Sequence, residues 1–229
     1  MKLPYRLVLG VLLSFGSLMA SDNPRLSEIL ASQNGKYTPA PALEFNLRDG
    51  LPNVFAKLKR GEPVAVTYFG TSVTRPPGWR VLSFEWLQRQ FPQAKLAMTD
   101  ASLGGTGSLA GVFRADRDLL PTKPDLVFIE FSGNDGGDSR SRPSDVLRSM
   151  EGIVRKLRRN NPQVEISLVY LPGGGDFKKL LAGEASAGMT LHELVAEHYG
   201  LPSICPSLQA AQMERDDSLV LRAPKTPDV

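Results

Sequence analysis

Residues 124–135 read PDLVFIEFSGND. Within them, DLVFIEF (125–131) is a continuous apolar run bounded by Pro124 and Gly133. An uninterrupted run of this length predicts a strand buried on both faces, as in the centre of a parallel sheet. Working outward, "PVAVTYF" (63–69), "AKLAMTD" (94–100), "VEISLVYL" (164–171) and "LPSICP" (201–206) read as four more strands. Between them lie helical segments: "WRVLSFEWLQRQF" (79–91), ended by Pro92, then "SLAGVFRADRDLL" (108–120), 144–160 and "MTLHELVAEHY" (189–199). In 144–160 the apolar positions Val146, Leu147, Met150, Ile153, Val154 and Leu157 follow helical spacing. Strand alternating with helix predicts an α/β protein, a three-layer αβα sandwich around a central five-stranded parallel sheet.

The remaining composition fits one globular domain: 229 residues, 41% hydrophobic and 22% charged. The first 20 residues, MKLPYRLVLGVLLSFGSLMA, are set apart. Lys2 and Arg6 precede a short apolar stretch broken by Gly10 and Gly16, with Ala20 as a cleavage point. That is the pattern of a secretory signal peptide rather than a spanning helix, so the expectation is a secreted or periplasmic protein without a stable membrane anchor. Residues 21–61 read as an N-terminal extension packed on the domain, with a short helix from Asn53 to Arg60, and 62–229 as the domain itself. The single cysteine, Cys205, allows no internal disulfide. Without Lys2 and Arg6 the basic and acidic residues number 25 and 24. The cluster "RKLRR" (155–159) then reads as a solvated helix face, and nothing asks for nucleic acid.

In open α/β sheets, ligands bind beyond the carboxyl ends of the strands. Three strand ends carry unusual residues. The first ends in Gly70-Thr71-Ser72, the second in "TDASLGGTGS" with Gly104, Gly105 and Gly107, and the third in "FSGNDGGD" with Asn134 and Asp135. Singly, such residues are turn formers or helix caps. Together they offer a hydroxyl, a glycine amide and a side-chain amide at one edge, which are the parts acyl transfer needs. Neither "GGTGS" nor "LPGGGDFKK" (171–179) has the spacing of a nucleotide-binding loop, and no G-x-S-x-G elbow is present.

The three blocks resemble the SGNH/GDSL hydrolase family over about residues 62–205. Ser72 matches the family's nucleophile, with Gly-Thr-Ser in place of Gly-Asp-Ser, Gly105 its oxyanion glycine, and Asn134 the asparagine of its Gly-x-Asn-Asp motif. The resemblance implies a flavodoxin-like strand order and an acylhydrolase of acyl esters of carbohydrate or lipid, a small-molecule or polysaccharide substrate, that needs no cofactor or metal. It also implies a base from a late Asp-x-x-His. No such motif can be drawn after Cys205, where Asp216, Asp217 and Asp228 stand without a histidine. The expectation is therefore a domain without that block, as in a shortened hydrolase. The only histidines, His192 and His198, lie on the 189–199 helix, His192 near its catalytic end and His198 toward the opposite pole. Two readings stay open: a serine esterase, or a non-catalytic binding module that keeps the pocket.

Overall fold

The computed structural model describes residues 37–136 and 142–220. The signal-peptide reading of residues 1–20, residues 21–36 of the extension and the tail 221–229 with Asp228 lie outside the described residues. Six strands form one sheet: β1 (Phe45–Asn46), β2 (Pro63–Gly70), β3 (Lys95–Asp100), β4 (Leu126–Glu130), β5 (Glu165–Val169) and β6 (Ser203–Ile204). Their spatial order is β1-β6-β5-β4-β2-β3. The five strands read from the sequence are all parallel and stand in flavodoxin-like order. The strand count is corrected from five to six by β1, which adds antiparallel at the edge of β6 through Phe45↔Ile204 and Asn46↔Ser203. Two residues carry no readable alternation, and an antiparallel edge on a parallel sheet is a common addition.

Eight α-helices connect and cover the strands: α1 (Pro52–Lys59), α2 (Trp79–Gln90), α3 (Ser108–Asp118), α4 (Ser132–Asp135), α5 (Pro143–Asn160), α6 (Phe177–Leu181), α7 (Ala187–Tyr199) and α8 (Pro206–Arg215). The apolar positions of α5 are all buried, so its 3.6-residue pattern is the stripe facing the sheet. Val127, Ile129 and Phe131 pack with α5 and α7 in the larger core. On the opposite face Val66, Tyr68 and Leu126 pack with Val54 and Leu58 of α1 and Leu87 of α2. The alternation along β4 thus feeds two cores, which is why residues 126–129 are all apolar. Around the 155–159 cluster, Arg155 pairs with Glu151 at 3.5 Å, Lys156 with Asp116, and Arg158 donates to the Tyr199 carbonyl at 2.9 Å.

The order reverses between β2 and β4, whose chains leave in opposite directions. Their carboxyl ends therefore flank the crevice that such a switch point opens. Ser72 follows one of these strands and Asn134 the other.

Candidate active site

The turn after β2 is built around a buried carboxylate. Glu130, the last residue of β4, is 1% exposed, and its Oε2 accepts from Thr71 N at 3.1 Å, Thr71 Oγ1 at 2.8 Å and Thr74 Oγ1 at 2.9 Å. Thr71 Oγ1 also accepts Val73 N–H at 3.2 Å. Both threonines are buried, whereas Ser72 between them is exposed. Gly70 makes this approach possible, since a Cβ there would lie 2.4 Å from Thr74 Oγ1 and 2.9 Å from the Glu130 carbonyl. Burial pushes the Glu130 carboxyl above its ordinary pKa, opposed by the threonine hydrogen bonds and by His192.

Two arginines hold the strand ends. Arg114 of α3, 7% exposed, donates to the Ala101 carbonyl at 2.6 Å and the Gly70 carbonyl at 3.2 Å, its guanidinium 4.1 Å from the centre of the Phe69 ring. One cation thus joins the residues that precede the Ser72 turn and the glycine loop. Arg80 of α2 donates to the Thr74 and Arg75 carbonyls at 3.1 and 3.0 Å and pairs with Asp100 at 3.1 Å.

The glycine loop after β3 touches both other blocks. A Cβ on Gly104 would stand 3.5 Å from the Ser72 Cβ. Asn134 Nδ2 donates to the Thr106 carbonyl at 2.8 Å. Gly105, between them, has φ +72°, in the left-handed region that glycine enters without cost. Gly104 and Thr106, the neighbours of Gly105, thus bring the glycine loop against Ser72 and Asn134.

The sequence did not expose what lies beneath. Asp135, 3% exposed, accepts Ser108 N–H at 2.9 Å on Oδ1 and bonds His192 Nε2 at 2.8 Å through Oδ2. His192, better placed than His198 on the helix, is 0% exposed and turned to Asp135, whereas Ser72 faces solvent. No hydrogen bond joins His192 to Ser72, and His198 lies in the last turn of α7, its ring against Tyr199. Among the described residues, no three His, Cys, Asp or Glu side chains gather to hold a metal ion.

A serine turn, a glycine loop and an asparagine thus lie at the switch point of an α/β sheet. Residues 66–204, more than half of the chain, match the model of the GDSL-like lipase/acylhydrolase family. The chain belongs to that family. Among solved structures it is similar to a two-domain esterase (CEX) active on acetylated mannans, at 29% identity and a TM-score of 0.59 over 77% of this chain and 47% of that one. The same esterase co-crystallized with mannopentaose gives 30% identity and a TM-score of 0.58 over 73% and 45%. The chain thus spans less than half the length of the esterase it matches. LAE5, an alpha/beta hydrolase enzyme from the metagenome of Lake Arreo, Spain, shares the fold at 20% identity and a TM-score of 0.51 over 60% and 74%. No curated protein matches the chain.

Proposed function

We propose that this domain is a secreted or periplasmic serine acylhydrolase that removes acyl groups from carbohydrate esters. In this reading Ser72 Oγ attacks the acyl carbonyl carbon, and the carbonyl electron pair moves onto oxygen. The Ser72 and Gly105 N–H groups and the second hydrogen of the Asn134 amide hold that oxyanion. As the oxyanion collapses, the sugar oxygen leaves as the alcohol with the proton that Ser72 Oγ gave up; water then adds to the acyl carbon, returns a proton to Ser72 Oγ and releases the acid. The observation that carries the reading is the placement of Ser72 against Gly104 while Asn134 is fastened to Thr106 of the same loop. Similarity to an esterase active on acetylated mannans supports a polysaccharide acyl ester as substrate.

A second reading, a binding module that keeps the pocket, is favoured by one observation. His192 Nε2 is bound to Asp135 and its Nδ1 has no hydrogen-bond partner, so this histidine does not reach Ser72, and serine is a weak nucleophile without an adjacent base. Acetate release from acetylated mannan and from p-nitrophenyl acetate separates the two. Turnover abolished by Ser72→Ala supports the hydrolase. Slow turnover that Ser72→Ala leaves unchanged, with acetylated mannan still bound, supports the module, since oxyanion donors alone leave only residual catalysis.

A further inference from the structure

The described histidine that could have been a base is instead fully buried beside the oxyanion residues, and nothing in acyl transfer uses it there. We propose that His192 is a positioning residue for the Asn134 donor, acting through Asp135 at a glycine-seated contact between α7 and α4. The proposal rests on the oxyanion role of Asn134 given above.

Helix α4 has four residues, too few to hold its own geometry. Its position is set from outside. Against α7 it packs backbone to backbone: a Cβ on Gly188 would lie 2.0 Å from the Ser132 carbonyl oxygen, and one on Gly136 would lie 2.0 Å from Gly188 N. One turn further along α7, on the same face, His192 reaches Asp135. In this arrangement Nε2–H donates and the Asp135 carboxylate accepts. The other oxygen takes the first amide of α3, an 11-residue helix whose N-terminus favours a negative charge. Gly107 permits this, because a Cβ there would stand 2.3 Å from Asp135 Oδ1.

Asp135 therefore references three things to one carboxylate. By covalent linkage it sets Asn134, by its bond to Ser108 it sets the end of the glycine loop, and by its bond to His192 it is itself fixed. A buried carboxylate–imidazole bond is a poor way to gain stability, since desolvation offsets most of its attraction. Its return here is direction: the Asp135 side chain cannot rotate without breaking both bonds, and Asn134 cannot shift without it.

The test uses 1H–15N spectra of the labelled chain, assigned for the Ser108 amide and the Asn134 side-chain amide. His192→Met should displace both signals, and so should Asp135→Asn, which keeps the shape of the carboxylate. His192→Gln, whose side-chain N–H can take the place of Nε2–H, should return them near their original positions. On p-nitrophenyl acetate His192→Met should lower kcat and kcat/KM together by about 10- to 100-fold, the cost of a misplaced catalytic group. It should cost nothing further in an Asn134→Ala background. Unmoved Asn134 signals in His192→Met or Asp135→Asn, or displacement by His192→Gln as large as by His192→Met, overturns the proposal. The spectra decide it whether or not the chain turns over ester, so an inactive wild type counts against the hydrolase reading alone.

Discussion

Gly188→Ala is the smallest change that tests how α4 is seated. The added methyl carbon would arrive 2.0 Å from the Ser132 carbonyl oxygen and 2.9 Å from Gly136 N, both backbone atoms that no rotamer change can clear. Ordinary contact requires the two segments to part by roughly 1 Å or more. Replacing a helical glycine by alanine otherwise gains up to about 1 kcal/mol, and less in the first turn where Gly188 lies. Overpacking typically costs about 1–3 kcal/mol, and rigid backbone puts this site at the upper end. The clash wins, for a net loss of about 2 kcal/mol, or roughly 4–8 °C in Tm for a domain of this size. Because Asn134 is two residues from Ser132, the same parting displaces the oxyanion donor, so any Ser72-dependent turnover should fall by about 100-fold. Urea denaturation followed by circular dichroism measures the first effect, and p-nitrophenyl acetate hydrolysis the second. A Gly188→Ala protein with unchanged midpoint and unchanged Asn134 amide resonances would refute the backbone-to-backbone seating.

Asn134→Ala should leave the denaturation midpoint close to wild type and reduce turnover by about 10²–10³-fold, as loss of one oxyanion donor does; an unchanged rate removes Asn134 from the role. Arg114→Met should cost about 2–4 kcal/mol in a denaturant titration, because the Gly70 and Ala101 carbonyls lose a buried donor. An unaltered midpoint would show that the strand ends do not need it. Glu130→Gln reads out the raised carboxyl pKa. A folded-state pKa above the unfolded one means that the native state binds more protons in that window. The wild type should therefore lose stability relative to Glu130→Gln as pH rises through and above the ordinary carboxylate range. A stability difference that is flat, or opposite in sign, across thermal melts in that range rejects it.

The sheet was legible because its signals are local. β2, β4 and β5 are largely apolar runs, and the residues that follow β2, β3 and β4 carry glycines close together in the chain. Their meeting follows from topology alone, since the ends of parallel strands share an edge. What stayed hidden depends on contacts distant in sequence. β1 is two residues whose only signal is its partner β6. In the 172–188 stretch a 3₁₀ turn and α6 pass with little periodicity, and α8 begins at Pro206 within what reads as tail. The Asp135–His192 bond joins residues 57 positions apart. Two cues did exist. Glu130 is a charge inside an apolar run, and a buried charge must find partners. Gly188 opens a helix one turn before His192, and glycine in a helix marks a close approach of backbones.

Residues 40–49 give the domain an unusual closure. Ala40 and Ala42 exchange backbone hydrogen bonds with Ala185 and Gly183, the Glu44 carbonyl accepts Cys205 N–H, and Asp49 N–H meets the Gly200 carbonyl. Arg48 adds a bond to the Leu201 carbonyl at 2.8 Å. Every one of these partners lies near the far end of the described residues, so this stretch works as a strap whose buckle is made long after it during synthesis. On a ribosome it emerges early and must wait for about 160 residues before its partners exist, a delay of roughly 8–32 s at typical elongation rates. Over that interval the backbone groups that later bond to residues 183–205 stand open, the kind of unpaired segment that chaperones cover. The strap therefore delays completion of this domain until residues 183–205 have been made, and its closure joins residues 40–49 to the last strand of the sheet.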